Sequence, residues 1–271
     1  MSTTRPPGGA PVVAVARHAV PALGLGVVAF LLLPLLAIVP LSFSGTRYLS
    51  MPQGELSLLH YRTLFTDEAW LASLVDSLRV ALPAATVATA VGLAFCLGAW
   101  QRGGRAVRVL QVLTLAPLIV PGIIHAVAFH RALAFAGLHD SIAGTVLVHA
   151  LKGLPFVVLS VGASLSAVDP ASVAVARSCG ATPAQALVRV VLPQLRAGLL
   201  AGFLFAWVTS WDEIVVTLFI TSRAVHTLPR QIWESLFVNL DPVVAALGTL
   251  AIGLTLLFVA AVFLRRVAPP A

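Results

Sequence analysis

Lysine occurs once in these 271 residues, at Lys152, and Leu151 stands before it. The Gly-Lys pair of a phosphate-binding P-loop therefore exists nowhere in the chain, and any ATP-driven step must be powered by another polypeptide. Cysteine occurs only twice, at Cys96 and Cys179, without metal-ligand spacing, and the seven histidines include no HExxH pair. No serine sits in a Gly-x-Ser-x-Gly elbow, so an intramembrane enzyme finds no catalytic constellation. Charge is scarce as well: charged residues make up 10% of the chain and hydrophobic residues 59%, with a mean hydropathy of +0.99. That balance excludes a water-solvated globule and makes lipid the main solvent.

What is present is a series of apolar runs. Residues 19–46, 80–101, 109–130, 141–168, 197–221 and 242–264 are free or nearly free of charge, and each approaches or exceeds the roughly 20 residues a helix needs to cross hydrocarbon. The expected fold is all-α and polytopic, with about six transmembrane helices. The first run is far longer than a signal-peptide core and no small-residue cleavage pattern closes it, so it reads as an uncleaved anchor. The Pro/Gly-rich residues 1–18 are expected to be a disordered cytoplasmic N-terminus, 19–266 a single membrane domain and 267–271 a short tail. The longest segment outside the runs, about 45–70, is too short to bury a core of its own.

Basic residues orient the spans. Arg5, Arg17, Arg102, Arg105, Arg108, Arg177, Arg189, Arg196, Arg265 and Arg266 fall on one side, while Arg47, Arg62, Arg131, Arg223 and Arg230 fall on the other. The richer side is cytoplasmic by the positive-inside bias, which puts both termini there. The formal charge of +7 is thus a topology signal facing lipid, and no nucleic-acid partner is expected.

Between the fourth and fifth runs, residues 169–193 read DPASVAVARSCGATPAQALVRVVLP. Asp169-Pro170 is an N-cap and first-turn pair, Gly180 is a left-handed stop, and Thr182-Pro183 starts a second helix at once. A helix of about ten residues is unstable alone in water, so this helix-turn-helix must pack on the membrane domain or on a partner. Val173, Ala174 and Ala176 offer a small, weakly apolar surface, and two successive caps mark a rigid knob rather than a bare connector.

Here the sequence resembles the permeases of binding-protein-dependent ABC importers. Ala174-Val175-Ala176, three residues, Gly180, nine residues, Val190, one residue and Leu192-Pro193 reproduce the spacing of their cytoplasmic EAA loop. Ala174 and Val175 stand where that family usually has Glu and Ala, which removes any ion pair from the glutamate. The segments SWDEIVVTLFITS (210–222) and TLPRQIW (227–233) are similar to the spermidine/putrescine branch. The resemblance implies a permease subunit in a bacterial inner membrane. It also implies a second permease subunit, of the same or a related chain, two cytoplasmic ABC ATPase subunits, and an extracytoplasmic solute-binding protein. No cofactor is expected in this chain, and ATP hydrolysis is expected in the partner. Val173, Ala174, Ala176, Arg177, Gly180, Ala181, Leu192 and Pro193 are the expected ATPase-docking residues. Ferric iron or sulfate is the alternative solute class, and a secondary transporter or channel would need no such knob.

Charges inside the runs cost about 2.5–3.5 kcal/mol each at mid-depth unless paired or wet. Asp76 and Arg79, three apart, are expected to pair along one helix face. Lys152 lies at a depth comparable to Asp212 and Glu213, counting about 1.5 Å per residue from each end. Either these acids only neutralise Lys152, or one holds it while the other, with Trp211 beside it, lines a pathway for a cationic solute such as a polyamine. The sequence does not say which acid takes which role. Trp207 and Trp211, one turn apart, read as packing or interface residues. His125, His130, His139 and His149 are scattered, without ligand spacing, and read as satisfied core or interface groups.

Overall fold

The computed structural model describes residues 10–54 and 56–267, and it is helical. In chain order the helices are α1 (Ala10–Ser42), α2 (Leu59–Thr66), α3 (Glu68–Arg102), α4 (Arg105–Thr114), α5 (Ala116–Ile119), α6 (Gly122–Phe135), α7 (Ile142–Ser166), α8 (Pro170–Ser178), α9 (Pro183–Ala186), α10 (Leu192–Gln194), α11 (Arg196–Trp211), α12 (Val215–Ile220), α13 (Leu228–Glu234) and α14 (Val243–Val267). Wider π turns occupy Leu187–Val191 and Ser235–Asn239. By length and composition, 21–42, 68–102, 142–166 and 243–264 can each cross a membrane, and two sharply bent helix pairs raise the number to as many as six.

Several boundaries differ from the expected ones. Helix α1 already runs from Ala10, so residues 10–18 are helical, while 1–9 and 268–271 lie outside the described residues. Helix α3 starts at Glu68, twelve residues before the apolar run, because an acidic first turn suits a helix N-terminus even outside lipid. The third run is not one rod. Pro117 and Pro121 stop the backbone hydrogen-bond ladder, and the chain turns by 106° between 105–119 and 122–135. The fifth run breaks at Asp212–Ile214, between α11 and α12.

The chain expected to be one domain divides into two compact units, 1–67 with 235–271 and 68–234. In the first, α1 packs along α14, with Gly248 letting Ile38 approach, and α2 is tied to the end of α1 by Ser42 Oγ and Tyr61 OH at 2.7 Å. In the second, α3, α7 and α11 form a tight bundle around Ala84, Ala85, Ala88, Val157, Val161 and Ala206. Small residues set its spacing: a Cβ on Gly92 would sit 2.6 Å from Val157 Cγ1, and one on Gly202 would sit 3.0 Å from Val157 Cα. Such close backbone approach is how helices gain dispersion contact in lipid, which supplies no hydrophobic drive of its own. A second cluster, Ala126, Leu133, Val148, Val216 and Ile220, packs α6 and α12 against α7.

Candidate functional site

The segment 169–194 folds as its punctuation dictates. The Asp169 carboxylate accepts the Ala171 N–H at 2.9 Å, and Gly180 turns the chain at φ +89°. Thr182 Oγ1 accepts the Gln185 N–H at 3.2 Å while the Gln185 side chain accepts the Thr182 N–H at 2.9 Å, a reciprocal capping box. The second arm is α9, the π turn 187–191 and α10, which meets α11 at 65°. The knob is anchored by its own apolar residues, since Val168, Val191 and Leu195 are buried in the α3/α7/α11 core.

Not every expected docking residue faces outward. Val173 packs on that core, and Ala176, Ala181 and Leu192 are half-buried. Ala174, Arg177, Gly180 and Pro193 are exposed. Val175, absent from the expected docking set, and Val188 are the large apolar side chains that the knob presents, at 62% and 58% exposure. For Val175 this follows from helical spacing: with Val173 inward, its i+2 neighbour must point away. A hollow of about 460 Å³ lies behind the knob, between the end of α3 at Trp100 and Gln101 and Arg177 with Leu187.

The second locus is the ion pair within the bundle. Lys152 on α7 pairs with Glu213 Oε2, and both side chains are largely buried. Glu213 Oε1 accepts the Val216 N–H at 2.9 Å, capping the start of α12. One turn before Lys152, His149 is fully buried between Ser210 Oγ at 2.8 Å and Thr217 Oγ1 at 3.1 Å. Thr217 gives its single hydroxyl proton to the Glu213 carbonyl at 2.8 Å, so His149 Nε2 carries the hydrogen and Nδ1 accepts from Ser210. His149 is thus the satisfied core histidine that the sequence suggested.

The structure separates the two acids. Glu213 takes Lys152, while Asp212 ends α11 exposed, with no hydrogen bond or ion pair to its carboxylate among the described residues. Neither lies inside a helix: Asp212 ends α11, and Glu213 falls in the break before α12. A signal for the break was present: two acids ahead of VVTLFI are N-cap chemistry for a new helix. The Trp211 and Trp207 rings are tilted at 48° with centroids 5.7 Å apart, and the buried Trp207 indole N–H has no partner among the described residues.

Asp76 does more than pair with Arg79. The Arg79 contact is 3.4 Å with Arg79 mostly exposed, whereas Asp76 also accepts the His226 N–H at 3.2 Å, and Ser77 Oγ accepts the Leu228 N–H at 2.7 Å. These side chains therefore moor the 226–228 segment to α3. A parallel clamp joins the turn before α7 to the end of α12: Asp140, at φ +53°, accepts the N–H groups of Ser222 (2.7 Å), Arg223 (3.0 Å) and Ala224 (3.1 Å). Burial acts to raise the Asp140 carboxyl, but those amides outweigh it and hold it below the usual carboxylate range. Glu234 is likewise held low: burial opposes, and the Arg230 and His226 hydrogen bonds prevail. No cluster of three or more His, Cys, Asp and Glu side chains able to hold a metal occurs among the described residues.

Lipid-crossing helices around a buried ion pair, with a capped knob rooted in the same core, define a polytopic membrane protein of the transport class. The chain belongs to the family of binding-protein-dependent transport system inner membrane components, whose model matches residues 22–269. It is therefore an ABC-importer permease, a multi-pass inner-membrane transport subunit. Its curated relatives include the spermidine/putrescine transport system permease protein PotC of Haemophilus influenzae, 26% identical over 86% of this chain and 90% of that protein. The putrescine transport system permease protein PotI of Escherichia coli is 26% identical over 83% of this chain and 82% of its own length. A probable molybdenum ABC transporter permease of Haloferax volcanii is 31% identical over 78% of this chain and 84% of that protein. Among solved structures, a bacterial ABC transporter that imports alginate shares the fold over 97% of this chain and 100% of that chain, with TM-score 0.71 at 15% identity.

Proposed function

We propose that this permease carries a polyamine inward. The observation behind the reading is Asp212, an exposed carboxylate left uncommitted at the broken fifth span while its neighbour Glu213 is spent on Lys152. A free anion at membrane depth suits an ammonium-bearing solute, and relatives named for spermidine and putrescine support the same class. Trp211 would offer the alkyl chain an aromatic wall. The knob 169–193, with both termini, faces the cytoplasm and docks an ABC ATPase through Ala174, Val175, Arg177 and Gly180. A second permease subunit and an extracytoplasmic solute-binding protein complete the importer.

Asp212→Asn should leave membrane levels unchanged and lower putrescine or spermidine uptake about tenfold or more in vesicles containing the whole importer, as expected for loss of a charge-assisted contact. Uptake equal to wild type would remove Asp212 from the pathway. The relative named for molybdenum favours an oxyanion as the second reading, and molybdate-dependent ATP hydrolysis without polyamine stimulation would select it.

Docking is tested at the corner. Nothing lies within 4 Å of a Cβ built on Gly180, so a substitution there acts through φ and not through a clash. Gly180→Val should weaken recovery of the ATPase from detergent extracts, while Gly180→Asn, which tolerates left-handed backbone, should retain it. Equal recovery with both variants would show that the corner does not organise docking.

A further inference from the structure

Nine residues apart in sequence, His130 and His139 meet at the end of α12. His130 Nδ1 lies 2.8 Å from the Phe219 carbonyl oxygen, His139 Nε2 lies 3.3 Å from the same oxygen, and the two nitrogens are 3.1 Å apart. The rings stand nearly perpendicular, at 84°, with centroids 4.7 Å apart. The reading of these histidines as scattered is thereby corrected: the α6–α7 turn brings them together.

Two neutral imidazoles cannot satisfy all three contacts. If both N–H groups point at Phe219 O, two donors face each other. If His139 donates to His130 Nδ1, that nitrogen's lone pair is occupied and it has no proton for the carbonyl 2.8 Å away; if His130 Nδ1–H is shared between that carbonyl and His139 Nε2, two acceptors face each other at 3.3 Å. A cation about 1 Å out of the plane of the three atoms makes every contact favourable. Donors held about 2.0–2.2 Å from one divalent ion stand about 2.8–3.6 Å apart, between right-angled and tetrahedral arrangements, and the observed 2.8, 3.1 and 3.3 Å fall in that range.

The surroundings are built for it. Phe219 O belongs to the last turn of α12, where carbonyls lack helical partners and the helix end favours positive charge. The Arg223 N–H that would have reached back to it is taken by Asp140. The same Asp140 donates its own N–H to Ile220 O at 2.9 Å, fixing the turn that carries His139. With its carboxylate held by backbone amides, Asp140 is not a ligand. The site opens on a surface hollow of about 450 Å³ lined by His130, Arg131 and Phe219, which leaves room for a fourth ligand; Arg131 adds positive charge beside the ion, which an anionic fourth ligand would offset.

We propose that His130 Nδ1, His139 Nε2 and the Phe219 carbonyl form a site for a divalent transition metal ion of the zinc or copper kind, which staples the α6–α7 turn to the end of α12. The site uses a backbone oxygen as its third ligand. Its existence does not depend on which solute is carried.

The test uses the full-length, tag-free chain in detergent. Calorimetry should show one Zn²⁺ per chain with a micromolar dissociation constant. His130→Gln and His139→Gln should each weaken it by more than about tenfold, a loss that even outer-sphere partners can cause. His125→Gln, on the same helix, should bind as wild type does. Copper(II) bound to the wild-type chain should show paramagnetic coupling to two imidazole nitrogens, a readout that holds even if the variants fail to accumulate. A flat titration, as a proton shared between the rings would give, overturns the proposal, as does binding that survives both substitutions or copper coupled to fewer than two imidazoles.

Discussion

Glu213→Gln is expected to cut the amount of folded protein recovered from membranes severalfold, and adding Lys152→Met should restore most of it. The amide keeps an oxygen for the Val216 N–H but leaves the Lys152 ammonium buried without its counter-charge. Breaking one side of a buried pair costs about 3–5 kcal/mol, whereas replacing both partners by neutral groups is often close to harmless. Lys152→Met alone should be nearly as damaging, because Glu213 would then keep its charge with only one backbone donor. Fluorescence-detected chromatography of the four proteins measures the cycle. Single variants at wild-type levels, or a double variant no better than the worse single one, would show that the pair does not hold α7 to the α11–α12 break.

Gly198→Leu should yield almost no folded protein, and Gly198→Ala should lower the melting temperature measurably. A Cβ on Gly198 would lie 2.7 Å from the Ser160 carbonyl oxygen and closer still to Ser164 Oγ, so α11 cannot keep its distance from α7. Overpacking a tight core costs about 1–3 kcal/mol for modest insertions, and rigid backbone atoms have nowhere to go. Gly162→Ala is the control: inside α7, it meets nothing within 4 Å and should leave stability unchanged or raise it by up to about 1 kcal/mol through helix propensity. If Gly198→Ala and Gly162→Ala melt alike, the close approach of α7 and α11 is not a stabilising contact.

The parts of this structure that were legible in sequence are those decided within a few residues. Asp169-Pro170, Gly180 and Thr182-Pro183 act on their own backbone neighbours, so the caps and the corner fall where the letters put them. Lys152 and the acid pair were recognisable as costly in lipid, but which acid meets Lys152 depends on where α11 ends, and hydropathy does not register that end. Pro117 and Pro121 were visible in the third run, yet the apolar average across them masked a 106° turn. The His130–His139 meeting was not legible at all, because no spacing rule links a helix end, a turn and a carbonyl some eighty residues away.

The break at Asp212–Ile214 also redraws which pieces travel together. Helix α12 follows α11 in the chain, yet its buried residues Val216 and Ile220 share a cluster with Ala126 and Leu133 of α6, and Asp140 clamps the turn that leaves it. In kinematic terms α12 belongs to α6. Helix α11 belongs to the α3/α7/α11 bundle in which the knob is rooted. The bundle and the α6–α12 pair are thus two packing groups joined through the backbone of Asp212, Glu213 and Ile214 and through the Lys152–Glu213 ion pair.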